Sequence, residues 1–209
     1  MDAGLMAAFW GVSMLFVVVP GVDWAYAIAS GVKRRSDVLP AVMGMLVGHL
    51  TATLVVAAGV AAVFAASDIA MTVLTLAGAV YLVWLGISAL RHPVAPAQAG
   101  ETAPAGGGRL FVKGIGISLL NPKVFLLFLT LLPQFASDNA VWPIGTQMAV
   151  LGLIHVINCA IVYFAVGYGA AVVLMRRPKA AKIVGAISGA VMIGLGLALL
   201  AEKGLSNAH

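Results

Sequence analysis

Read for polarity, the chain alternates long apolar runs with short charged stretches. The runs occupy about residues 4–31, 38–65, 69–90, 111–134, 141–174 and 181–201. Each is long enough for a helix to cross a hydrocarbon core about 30 Å thick, which takes about 20 helical residues. A membrane barrel would instead show alternating segments of about 10 residues, and these uninterrupted runs do not. The pattern predicts an all-α integral membrane protein with six transmembrane helices.

Composition removes the competing classes. Hydrophobic residues make up 62% of the chain and charged residues 9%, against about 25% charged in a soluble domain. Glycine is abundant, at 24 residues, which suits close helix packing in lipid and makes a homodimer through glycine-rich faces plausible. The formal net charge of +5 has no basic, aromatic-studded soluble segment behind it, so no nucleic-acid partner is expected. The run from Leu5 to Val19 lacks the basic flank of a signal peptide, Asp2 being the sole charge before Asp23, so it is expected to stay in place. The single cysteine, Cys159, excludes an intrachain disulfide and a multi-cysteine zinc site, and reads as a small core residue. No metal and no cofactor are expected.

The charges predict an orientation. Lys33, Arg34 and Arg35 follow the first run; Arg91, Arg109 and Lys113 flank the third linker; Arg176, Arg177, Lys179 and Lys182 fill the fifth. These alternate linkers share one side of the bilayer, which the positive-inside rule makes the cytoplasm. Asp2, Asp68, Asp138, Glu202 and Lys203 fall on the other side. A bacterial inner (cell) membrane location follows, with both termini periplasmic or extracellular.

The halves of the chain echo one another. Phe9 precedes Pro20 by the same interval that separates Phe111 from Pro122; His49 and His155 fall in the second run of each half; Gly78-Ala79-Val80 and Gly189-Ala190-Val191 fall in the third. The expected organisation is a three-helix repeat over 1–92, a flexible Pro/Ala/Gly-rich cytoplasmic linker over 93–110, and a second repeat over 111–209. Three helices repeated must enter the membrane upside down the second time, the plan of many secondary transporters.

Candidate chemistry centres on Asp23 and Lys123, the two formal charges well inside apolar runs. Asp23 lies ten residues before Lys33 and Lys123 ten after Lys113, placing both roughly 15 Å from the cytoplasmic face. Opposite charges at equal depth suggest a facing pair, since a lone charge there costs at least about 2.5–3.5 kcal/mol. Each sits beside a helix breaker, Pro20-Gly21 or Asn121-Pro122. The prolines displace the carbonyls of Phe16 and Ser118, and such freed groups are tolerated in mid-membrane only where protein or a wet cavity satisfies them. Carbonyls and a carboxylate suit a substrate ammonium; half-helix N-termini and a lysine suit a carboxylate. The bland alternative is a kink locked by a permanent salt bridge. His49 and His155 titrate in a range suited to proton relay or substrate binding, or are satisfied core residues. Asn158, at i+3 from His155, shares its face and is expected to line the same cavity.

These motifs resemble those of a known family. Pro20-Gly21-Val22-Asp23 is similar to the Pro-Gly-Pro-Asp signature of the LysE/RhtB amino-acid exporters, and Asn121-Pro122-Lys123 to their Asn-Pro-Lys motif. Leu132-Pro133-Gln134-Phe135 and Gly78-Ala79-Val80-Tyr81-Leu82 with Trp84-Leu85-Gly86 resemble further segments. The resemblance implies export of amino acids or related small metabolites driven by the proton gradient. Val22 stands where the signature has its second proline, which predicts a shorter or shifted unwound stretch. An intramembrane enzyme is the alternative from another class; no His-Glu-x-x-His helix is present, and Ser118 is the one serine nucleophile to consider. A channel or non-transporting scaffold is the third. The expected function is export, not catalysis.

Overall fold

A computed structural model describes residues 1–66, 68–91, 106–137 and 139–173, together with scattered helical positions from 186 to 201. Among the described residues the regular structure is helical throughout. Helices α1 (Ala3–Val18) and α2 (Val22–Lys33) cover the first apolar run, α3 (Arg35–Ala66) the second and α4 (Asp68–Arg91) the third. Helices α5 (Gly107–Leu119) and α6 (Pro122–Leu131) cover the fourth, followed by a 3-10 turn at Pro133–Phe135, and α7 (Ile144–Val173) covers the fifth. The linker from 93 to 105, the cluster Arg176–Lys182 and most of the sixth run, Gly189 and Val191 included, lie outside the described residues. Helix α5 begins at Gly107, inside the segment expected to be linker.

Segments Arg35–Gly59 and Ile144–Gly169 are each long and apolar enough to cross a membrane, and α1 with α2 meet the same measure together, bent by 60° at their break. Both breaks fall at the breakers read from sequence. Val19, Pro20 and Gly21 separate α1 from α2, and Leu120 and Asn121 separate α5 from α6. Val22 is the first residue of α2 and its side chain is 58% exposed. That first helical position is the one proline favours.

Small residues set the packing. A side chain at Gly44 would strike the Phe111 backbone, one at Gly114 would meet the Ala41 carbonyl at 2.5 Å, and one at Gly48 the Ile115 carbonyl at 2.8 Å. These contacts run α3 parallel to α5. Gly152 lies against Thr53 and Gly167 against Val38, so α7 runs antiparallel to α3. Gly31 of α2 abuts the Gly167 backbone. Backbones approach this closely only where side chains are absent, and in lipid that contact replaces the missing hydrophobic drive. These glycine faces are used within the chain.

Basic residues gather at one end: Lys113 lies over the Tyr26 ring at 5.5 Å, Arg35 over the Tyr168 ring at 5.8 Å, and Arg34 pairs with Asp37 at 3.0 Å. Two apolar cores flank the middle of the bundle. One holds Phe9, Phe128, Leu132 and Met148; the other holds Trp24, Val38, Met45 and Tyr163. Along α3 the order is Met45, His49, Ala52; along α7 it is Leu151, His155, Cys159. The histidines therefore fall at the seam between the cores, where the antiparallel helices bring them together.

Candidate functional site

Asp23 occupies the first turn of α2, where the exposed amides and the helix dipole favour a carboxylate. The residue is 5% exposed. It accepts hydrogen bonds from Ser118 Oγ at 3.0 Å, Asn121 Nδ2 at 2.8 Å and Tyr163 OH at 3.3 Å. Three donors satisfy the buried carboxyl group, as a polar group in an apolar bundle requires.

Lys123 holds the equivalent place on α6, and there the dipole opposes it. Its ammonium turns away from its own helix to the end of α1, donating to the Phe16 carbonyl at 3.1 Å and the Val19 carbonyl at 3.2 Å. It also sits 5.0 Å above the Phe16 ring. Phe16 is the residue four before Pro20, whose carbonyl the proline was expected to free. Trp24 Nε1 satisfies the neighbouring Val17 carbonyl at 2.8 Å. The expected facing pair is thus corrected: among the described residues no ion pair joins Asp23 to Lys123. Each charge instead serves the opposite break. Asp23 reaches the end of α5 and the cap of α6; Lys123 reaches the end of α1.

The second break completes its own cap. Asn121 Oδ1 accepts from the Lys123 amide at 3.0 Å while its Nδ2 serves Asp23. The first break has no side-chain cap. Gly21 is extended, and a Cβ there would stand 3.9 Å from Lys123 Nζ.

Asp23 and Lys123 line one cavity with Phe16, Val17, His49, Val124, Leu127, His155 and Tyr163. Its volume of about 10 Å³ leaves room for one water. The rings of His49 and His155 lie 5.4 Å apart, edge to face. His49 Nε2 is 3.8 Å from Asp23 Oδ2, and neither ring nitrogen of His49 has a hydrogen-bond partner. His155 hydrogen-bonds through Nδ1 with Ser13 Oγ at 2.9 Å, and its Nε2 lies 3.4 Å from Cys159 Sγ. Asn158 stands behind His155 and is not among the lining residues. It donates to the Trp10 carbonyl and to Ser13 Oγ, both at 3.1 Å.

Ser13, Tyr163 and Cys159 belong to this neighbourhood and carried no role in the sequence reading. For two of them a signal was present: His155, Cys159 and Tyr163 recur at four-residue intervals and share one face of α7. Ser13 had none, because its partners come from a helix more than a hundred residues away.

No solved structure matches the chain. Among curated relatives, a membrane protein of Vibrio cholerae serotype O1, itself uncharacterized, is 32% identical over 97% of this chain and 100% of its own length. A threonine efflux protein of Salmonella typhimurium is 27% identical over 95% of this chain and all of its own. A leucine efflux protein of Klebsiella pneumoniae is 27% identical over 87% and 88%. The model of the LysE type translocators matches residues 14–203, both helix breaks and both histidines of the seam included, and the chain belongs to that family.

Proposed function

We propose that this membrane protein is a secondary exporter of amino acids or related small zwitterions, coupled to the proton gradient. The observation that carries this reading is the crossed pair of broken helices, with a carboxylate and an ammonium lining one cavity at mid-bundle. Family membership and relatives named for threonine and leucine efflux support it. A substrate ammonium would be received by Asp23 and a substrate carboxylate by Lys123, each giving up contacts to the opposite break. One water's volume does not admit an amino acid, so loading requires the halves to part. Alternating access is then the rocking of residues 1–92 against 111–209 as inverted repeats. The antiparallel course of α3 and α7 supports that symmetry.

The Ser118 hydroxyl donates to a carboxylate that receives two further donors, and we read it as part of the setting of Asp23. The clustered bases at the end holding Arg35 and Lys113 support a cytoplasmic assignment for that end, with both termini on the far side of the bacterial inner membrane.

The test is release of amino acids from cells preloaded with a dipeptide mixture, comparing the intact chain, Asp23→Asn and an empty vector at several external pH values. Faster release of one or a few amino acids is expected from the intact chain alone. Asn at position 23 keeps the size and loses the titration, so any residual release should no longer vary with pH. Equal release from all three, with membrane expression confirmed, removes the exporter reading. Unaltered pH dependence in Asp23→Asn removes its role as proton carrier.

A further inference from the structure

The seam between the two cores holds a second constellation that export of a zwitterion does not use. His49 on α3 and His155 and Cys159 on α7 bring three donor atoms within 4.8 Å of one another, all buried. His49 is 1% exposed and both its ring nitrogens lack a partner. Leaving such a group unsatisfied costs about 1–3 kcal/mol, so its retention there calls for a ligand.

The geometry is close to that of a tetrahedral site. With Zn–N of about 2.0–2.1 Å and Zn–S of about 2.3 Å, neighbouring nitrogen and sulfur ligands stand about 3.6 Å apart. His155 Nε2 and Cys159 Sγ are 3.4 Å apart, one helical turn from each other on α7. His49 completes the set by closing about 1 Å, within the reach of a rotamer adjustment. The outer contacts suit ligation as well. Ser13 Oγ holds His155 Nδ1 at 2.9 Å, directing Nε2 inward, and Asn158 in turn donates to Ser13. A metal-bound histidine commonly turns its second nitrogen to an oxygen acceptor, a carboxylate, backbone carbonyl or water, and the Ser13 hydroxyl offers such an oxygen. His49 Nε2 faces Asp23 at 3.8 Å.

We propose that His49, His155 and Cys159 form a binding site for a tetrahedral thiophilic cation, with Zn²⁺ as its probe, and that occupancy clamps α3 to α7 and blocks export. Binding displaces the Cys159 thiol proton to solvent, leaving thiolate on the metal, so affinity rises with pH. Both histidines line the cavity that Asp23 and Lys123 share, and the fourth ligand enters from there. The Lys123 ammonium favours an anion in that position, hydroxide or chloride. The clamp rests on the exporter reading; the binding does not.

The experiment uses the full chain in detergent, free of any histidine tag, titrated with Zn²⁺ against a chromophoric chelator and with Co²⁺ by absorption. The variants are Cys159→Ser and, as a control, the chain lacking the other two histidines, His92→Asn with His209→Asn. One Zn²⁺ per chain and a thiolate-to-cobalt charge-transfer band are expected for the intact chain and the control. Cys159→Ser should lose the band and at least about 10–100-fold in affinity, since that much follows from losing an outer partner alone. No stoichiometric binding, or binding that survives Cys159→Ser, overturns the site. So does binding that disappears with His92 and His209. In the release assay, Zn²⁺ reaching the site should stop export by the intact chain and spare Cys159→Ser, whose side chain does not line the cavity. Binding with undiminished export overturns the clamp. Absence of export without metal counts against the exporter reading and leaves the titration to stand or fall alone.

Discussion

The two broken helices look alike in sequence and are built differently. Both place a charged residue second in the helix after a proline break, yet Asp23 suits its helix and Lys123 does not. The carboxylate sits at the positive end of α2, as helix electrostatics prefer. The ammonium sits at the positive end of α6 and finds its favourable field at the carbonyl end of α1. Conversely, α6 is capped by its own Asn121, whereas α2 has no side-chain cap and α1 ends on carbonyls that Lys123 and Trp24 must satisfy. The second break is complete in itself and lends donors outward. The first depends on residues from elsewhere. The halves are joined at both breaks, through the Asp23 carboxyl group and the Lys123 ammonium.

Removing the lysine should break the comparison most severely. Lys123→Met leaves the Val19 carbonyl without its donor and the Phe16 carbonyl with the Val19 amide alone, at about 1–3 kcal/mol for a carbonyl that water does not reach. Export is expected to vanish and the melting temperature in detergent to fall. Undiminished stability and release together would mean that the first break does not lean on the second. Asn121→Ala comes next. It deletes a cap worth about 0.5–2 kcal/mol and one of three donors to Asp23, so release should slow without stopping. A loss as complete as that of Lys123→Met would erase the asymmetry between the breaks. The smallest effect belongs to Val22→Pro, which restores the family's second proline at an exposed first helical position. Gly21 already has the extended backbone that a following proline requires. Stability within about 0.5 kcal/mol and unaltered release are expected; a changed substrate profile would show that the unwound stretch is shaped by the residue at 22 after all.

Much of the site was legible before any coordinates. Pro20-Gly21 and Asn121-Pro122 break the helix wherever they occur, because proline lacks a donor and clashes with the preceding turn. Asp23, Lys123 and the two histidines stood out because polar groups in apolar runs are expensive. What misled was pairing by charge sign: equal depth suggested an Asp23–Lys123 contact, while neutral donors and freed carbonyls hold the two charges separately. Asn158 misled for a related reason. Sharing a helix face with His155 is not sharing its cavity: Asn158 is just as buried, and its side chain is taken up by the Trp10 carbonyl and Ser13.

Local chemistry decided the helices, their interruptions, the residues too polar to face lipid, and the basic clusters that distinguish one end from the other. Each follows from the properties of a few neighbouring residues against a hydrocarbon solvent, so composition and spacing suffice to state it. The tertiary structure alone decided which partner satisfies which group. Lys123 is a misfit on α6 until α1 supplies its carbonyls, and Cys159 is an ordinary core residue until the antiparallel course of α3 brings His49 alongside. Such matches join atoms far apart in the chain, and they are made by glycine contacts that set helix separation and register, which no local pattern encodes.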